Sequence, residues 1–272
     1  MIAKGLITQR ANDEQLPALT IERDYVLTQL CADIGALNDS RLVFKGGSLL
    51  RLCYFDDYRY SADLDFSAVG GLTAAEAVAI IRDAVERCRQ RIEMPTLEVA
   101  DADAGTPSIA YVGPLGSRPR KIKLDTSDTE LVKNQYCRAI HQLWPDLPVD
   151  AAIESYTLSE VGAEKLRCIA ERVQCRDLYD LHELLDGQHI DAMEAWHLYL
   201  RKSANNVMRG RQRTPPREWA SAFDRRLTAY RRLWDRELGD YLSETPSFGD
   251  VERRSRRHLA PVVAAALALT GQ

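Results

Sequence analysis

The chain has 272 residues, 45% of them hydrophobic and 28% charged, which is ordinary for a folded, soluble protein and enough to bury a sizeable core. Its longest wholly apolar stretch near the end, Leu259 to Leu269, is well short of the roughly 18 residues a transmembrane helix needs, and the start lacks a signal-peptide apolar region. A cytoplasmic enzyme or binding protein with no membrane partner is expected.

Six cysteines (Cys31, Cys53, Cys88, Cys137, Cys168 and Cys175) are scattered without a C-x-x-C pair and read as buried thiols in a reducing compartment. The net charge of −4 hides an asymmetry. Residues 201–257 carry 15 Lys and Arg against 8 Asp and Glu, a balance of +7, whereas residues 1–200 stand at −11. That separation points to a polyanionic partner for the C-terminal part, or to a solvated helix surface whose arginines pair with neighbouring acids.

In chain order, residues 20–34 have helical spacing, with Thr20 as cap and Gly35 as stop. The β-rich run Leu42-Val43-Phe44 then meets Gly46-Gly47-Ser48, and the apolar stretch Ser48 to Tyr54 has helical spacing, giving strand, glycine turn, helix. Asp63-Leu64-Asp65-Phe66 alternates polar and apolar residues, so it reads as a strand with both carboxylates on one face. Thr73 to Glu93 is a long amphipathic helix. Three β-like runs follow, at 97–99, 108–112 and 121–125. From about Thr157 the pattern is almost wholly helical, starting at the capping box Thr157-Leu158-Ser159-Glu160. The domain boundary is expected near residue 150, dividing a domain of residues 1–150 from a helical one of 151–272 that is basic from about 201. Arg209 to Arg217 reads as a basic loop between helices.

Phosphoryl transfer from a nucleotide needs a place for the triphosphate, carboxylates to hold Mg²⁺ or Mn²⁺, and an aligned acceptor. Gly46, Gly47 and Ser48 at a strand-to-helix turn suit the first, because missing side chains let N–H groups approach phosphate oxygens. Asp63 and Asp65 lie about 7 Å apart at the backbone, near enough to share metal ions. Asp125, on an alternating strand with Lys121 and Lys123, is a third acid for the site. The glycine turn precedes the acid pair by 15 residues, room for helix and return strand.

Phe44-Lys45-Gly46-Gly47-Ser48 followed by Tyr60-Ser61-Ala62-Asp63-Leu64-Asp65-Phe66 resembles the nucleotidyltransferase signature of the DNA polymerase beta superfamily, and more closely the AbiEii/AbiGii toxin family. Ile21 to Tyr25, Lys123-Leu124-Asp125, and Lys165 to Leu181 with Lys165, Arg172, Arg176, Asp177, Asp180 and Leu181 extend the match. The resemblance implies an α+β fold, with a mixed-sheet nucleotidyltransferase domain, a helical C-terminal domain and an active site in the cleft between them. It assigns phosphate binding to Gly47 and Ser48 and metal binding to Asp63 and Asp65. It also implies a cognate antitoxin and, in some members, transfer to the 3′ end of tRNA.

Lys165, Arg172 and Arg176, placed on one helix, share a face with Asp177 and Asp180 at its edge. They are expected to bring positive charge to the nucleotide together with Lys123, and Lys165 and Asp177 join Asp63 and Asp65 as candidate catalytic residues. The alternatives are nucleotidylation of a protein hydroxyl or a small molecule, and a catalytically silent module that binds nucleotide or RNA.

Overall fold

The computed structural model describes residues 1–100, 107–116, 118–205 and 214–270. They divide into two compact units. The first comprises residues 1–128, 135–156 and 240–243, and the second residues 129–134, 157–239 and 244–272.

The first unit is built on a mixed seven-stranded sheet in the order β3-β4-β5-β2-β1-β7-β6. Its strands are β1 (Leu42–Lys45), β2 (Asp63–Ala68), β3 (Glu98–Ala100), β4 (Ser108–Tyr111), β5 (Arg120–Ser127), β6 (Gln135–Ala139) and β7 (Ala152–Tyr156). β1 runs antiparallel to β2 and parallel to β7, while β2 runs parallel to β5. The centre of the sheet is held by alternation: Leu64 and Phe66 of β2 and Ile122 and Leu124 of β5 are fully buried, and the Phe44 and Phe66 rings meet across β1 and β2 at 5.3 Å. Helices α2 (Ala18–Gly35) and α4 (Ala74–Arg91) pack on each other, α2 against β7 and α4 against β3 and β5. α1 (Lys4–Asp13) packs on α2.

Some local readings change. Pro17, with φ near −58°, starts α2, and Thr20 lies inside the helix with its hydroxyl donating to the carbonyl of Asp240 at 2.9 Å. The strands β6 and β7 were not anticipated. β6 is an edge strand with no fully buried residue, so it lacks the apolar alternation by which a strand is read. Five of the six cysteines are buried as expected, and Cys137, on that edge strand, is exposed.

The second unit is helical: α5 (Leu158–Glu171), α6 (Cys175–Asp186), α7 (Ala192–Asn205), α8 (Trp219–Leu238), α9 (Phe248–His258) and α10 (Ala260–Ala268), with a short 3-10 turn at Pro216–Glu218. α5 packs on α6, α7 and α8. Thr157 caps α5 by accepting from the Glu160 N–H at 3.2 Å, but the reciprocal half of the expected capping box is absent. The Glu160 carboxylate instead accepts from the N–H of Lys133 at 2.7 Å and pairs with buried Lys202 at 2.6 Å. Trp219, Tyr230 and Trp234 are buried, and each indole N–H donates to a carbonyl, of Leu166 and Pro246 respectively, at 2.8 Å. These rings are core residues, not stacking platforms for nucleic acid. Of the basic loop expected at Arg209 to Arg217, residues 206–213 lie outside the described residues, Arg209, Arg211 and Arg213 among them.

Candidate active site

The glycine turn begins where β1 ends. Gly46 has φ +83°, a left-handed conformation that side chains rarely adopt. A Cβ there would lie 2.5 Å from the Asp65 carboxylate, and a Cβ on Gly47 would lie 2.1 Å from the Arg59 guanidinium. At Gly46 the backbone itself calls for glycine, whereas at Gly47 a side chain would have to displace the Arg59 guanidinium. From the turn the chain continues as one helical turn (α3, Gly46–Leu49) and a wider π-type turn (Leu50–Tyr54), matching the helix expected over Ser48 to Tyr54. Ser48 is buried, and its hydroxyl donates to the Asp63 carbonyl at 2.5 Å. Its role in this structure is to fasten the turn to β2.

The sheet register assembles the charges. Lys45 lies opposite Asp65, which lies opposite Asp125, and Asp63 lies opposite Lys123. Residues directly across a ladder project to the same face, so the central three strands display three carboxylates and two ammonium groups together. Lys123 Nζ is 3.1 Å from Asp125 Oδ2, and both side chains are about half exposed. Burial, and to a lesser degree the charges of Asp63 and Asp125, push the Asp65 carboxyl up to about 6 against the opposing pull of Lys45 and Lys123.

Among the described residues, no three His, Cys, Asp or Glu side chains are already gathered around one point as metal ligands. The donor chemistry nonetheless fits a hard divalent cation. Asp63 and Asp65 offer only carboxylate oxygens, and they share one face of β2. Asp125, drawn to Lys123, is the more loosely held third donor.

The second unit carries a separate charged cluster. The single helix expected over Lys165 to Leu181 is broken: α5 ends at Glu171, Arg172 is extended (φ −144°, ψ 167°), and α6 restarts at Cys175. Lys165, Arg172 and Arg176 therefore do not share the face of one helix. The break folds α6 back on α5 and brings Lys165 and Asp177 together by another route. Lys165 Nζ sits 3.0 Å from Asp177 Oδ1 and 2.6 Å from Asp180 Oδ2, all three side chains being buried. Arg172 grips Asp177 with Nε at 2.8 Å from Oδ2 and Nη2 at 3.2 Å from Oδ1. Although burial works in the other direction, Lys165 and Arg172 hold the Asp177 carboxyl well below the usual carboxylate range. Arg176 is partly buried at the first turn of α6. His182 is buried, with Nδ1 3.4 Å from the Ser255 hydroxyl, a structural position.

Part of the basic C-terminal segment is compensated by ion pairs. Arg231 pairs with Glu252, Arg253 with Asp250, Arg254 with Asp186, and Arg256 with both Asp224 and Glu252. Arg217, Arg232 and Arg257 are exposed and make no ion pair among the described residues. Arg59 was not singled out from the sequence. Its signal was present, an arginine two residues before Ser61 in a tyrosine-rich segment, but only packing shows that it faces the glycine turn.

The family model described as nucleotidyl transferase AbiEii toxin, type IV toxin–antitoxin system, matches residues 30–267. Among solved structures, MenT4, a nucleotidyltransferase toxin from Mycobacterium tuberculosis, superposes with a TM-score of 0.75 at 22% identity, over 96% of this chain and 90% of that one. JHP933 from Helicobacter pylori superposes with a TM-score of 0.57 at 15% identity, over 94% of this chain and 97% of that one. At these identities the superpositions establish the fold. No curated protein matches the sequence.

Proposed function

Because the chain belongs to the AbiEii family of nucleotidyl transferase toxins of type IV toxin–antitoxin systems, we propose that it transfers a nucleoside monophosphate from an NTP to the 3′ end of tRNA and so inhibits translation. The observation that carries the reading is the register that sets Asp63, Asp65 and Asp125 on one sheet face beside the Gly46-Gly47 turn. A divalent ion, Mg²⁺ or Mn²⁺, held by Asp63 and Asp65 with Asp125 as third donor, would neutralise triphosphate charge and polarise the phosphorus under attack when bound.

The remaining work falls to the chain itself. The N–H groups at Gly46 and Gly47 receive phosphate oxygens, and Lys123 adds positive charge on the same sheet face. Lys165, Arg172 and Arg176 are the further nucleotide-binding candidates, and Asp177 holds the first two in place. The transfer forms a bond from an acceptor hydroxyl oxygen to the α-phosphorus and breaks the bond to pyrophosphate. The cytoplasm is the compartment of tRNA, and no helix among the described residues is long and apolar enough to cross a membrane. A cognate antitoxin is the expected protein partner.

An RNA acceptor is supported by family membership and by the +7 balance of residues 201–257. The ion pairing of Arg231, Arg253, Arg254 and Arg256 weakens the second of these supports and keeps nucleotidylation of a protein hydroxyl as the second reading. The test incubates the protein with each labelled NTP and total RNA, with and without EDTA, and separates RNA from protein. Label at the size of tRNA, lost on chelation, is expected. Label on protein would put the second reading first, and no label with any NTP would remove both.

A further inference from the structure

Residues 55–62 lead the chain into β2, and their backbone is pinned on both sides of Arg59. Arg51, buried and paired through Nε with Asp24 at 2.6 Å, donates from Nη1 to the Tyr58 carbonyl at 2.7 Å. Its guanidinium also lies 3.6 Å from the centre of the Tyr60 ring. On the other side, the Tyr60 N–H donates to the Tyr241 carbonyl at 2.8 Å and the Tyr60 hydroxyl donates to Glu14 at 2.6 Å. With Tyr58 and Tyr60 held, the backbone from which the Arg59 side chain departs is fixed. It is 2% exposed, its Nη1 donates to the Tyr60 carbonyl at 2.9 Å, and its Nη2 occupies the space where a side chain at position 47 would begin.

Burying a guanidinium is costly, so a site that fixes one so firmly has a use for its charge or its shape. The same turn is also tied to β2 by the Ser48 hydroxyl on the Asp63 carbonyl, and the Asp65 carboxylate lies where a side chain at position 46 would begin.

We propose that Arg59 is the positioning residue of the phosphate turn: its guanidinium fills the side-chain space of Gly47 and sets Gly46-Gly47 against the strand that carries Asp63 and Asp65. This rests on the reading of that turn as an NTP site. The planar fork matters as well as the charge, because it lets Nη2 lie against Gly47 while Nη1 donates to the Tyr60 carbonyl.

The test measures binding of a fluorescent NTP analogue with Mg²⁺, the KM for NTP, and thermal melting, on the full chain as wild type, G47A, R59A, R59K and G47A/R59A. R59A and G47A should each weaken binding at least about tenfold and raise KM accordingly, the loss expected when charge-assisted positioning is removed. R59K should recover part of the affinity. The double variant should bind within about twofold of R59A, because removing the guanidinium makes room for the Cβ at position 47.

Should R59A fail to fold, G47A/R59K replaces it. Binding better than G47A supports the inference, and equal or weaker binding overturns it. R59A binding like wild type, a lowered melting temperature with unchanged NTP affinity, or a G47A loss of equal size in both backgrounds would each overturn it while leaving the NTP reading in place. A wild type that binds no NTP would remove the reading and the inference together.

Discussion

The two charged clusters of this protein use the same chemical groups to opposite electrostatic ends. On the sheet face of the first unit, Asp65 sits among Asp63 and Asp125 and its carboxyl is pushed up to about 6, burial being the largest cause. In the second unit, Asp177 is more deeply buried, yet Lys165 and Arg172 hold it well below the usual range. Burial penalises both charges. What differs is the balance of charge around them: Lys45 and Lys123 act on Asp65 against two neighbouring carboxylates, whereas Lys165 and Arg172 both act directly on Asp177. On the sheet face three carboxylates share two ammonium groups, whereas in the helical cluster Lys165 and Arg172 both close on Asp177.

The largest effect expected from breaking this comparison is on activity. D63A or D65A should lower transfer by at least about 10³-fold, since each removes a carboxylate on which charge neutralisation of the triphosphate depends. Because Asp65 is disfavoured in its charged form, D65N should melt no lower than wild type in metal-free buffer. Transfer at the wild-type rate in either alanine variant, or a sharply lowered melting temperature for D65N, would undo this half of the contrast.

Asp177 should behave in the reverse manner. D177N takes from buried Lys165 one of its two carboxylate partners and from half-exposed Arg172 its bidentate one, and should destabilise the protein by about 2 kcal/mol, read by denaturant titration. The folded carboxyl titrates below its unfolded value of about 3.9, so its contribution is fully present above that pH and is lost as pH falls further. Wild type should therefore lose stability below about pH 4 more steeply than D177N. Parallel acid profiles would show that the ion pairs contribute nothing. K165A should reduce both stability and turnover, and a variant that kept turnover would make the cluster purely structural.

The smallest effects are expected on the surface of the second unit. Reversing Arg253 and Arg254 together to Glu places repulsion beside Asp250 and Asp186. Exposed pairs of this kind are worth no more than about 1 kcal/mol, so the fold should survive. If RNA is the acceptor, reversal of Arg232 and Arg257 should weaken RNA binding more than reversal of Arg253 and Arg254, and wild-type binding should fall with salt. Equal effects from the two pairs, or binding indifferent to salt, would argue against a phosphate-backbone contact here.

Asp63 and Asp65 were legible because alternation is a local property. Every second side chain of a strand faces the same way, so their common face follows from spacing alone, as does that of Lys123 and Asp125. The glycine turn was legible for a similar reason, since a left-handed backbone at Gly46 favours glycine. The neighbours of these residues were not legible. That Asp65 would lie beside Asp125 depends on β2 pairing in parallel with a strand some 60 residues away, and pairing partners are chosen by the packing of the whole sheet.

Helical spacing misled at Arg172 for the converse reason. The amphipathic pattern continues from α5 into α6, with neither glycine nor proline between them, and the chain turns there in a structure where the Arg172 guanidinium is bound by Asp177 and its carbonyl accepts from the Tyr230 hydroxyl at 3.4 Å. The sequence by itself determined which residues are charged, which share a strand face and where the backbone needs a glycine, because these depend on bonds and neighbours a few residues away. Only the tertiary structure decided that Arg59 stands where Gly47 has no side chain, that the Ser48 hydroxyl donates to the Asp63 carbonyl, and that Asp65 shares its face with two further carboxylates while Asp177 is held by two cations. Those outcomes depend on which distant groups share a buried volume, and a low-dielectric interior makes the presence or absence of one counter-charge decisive.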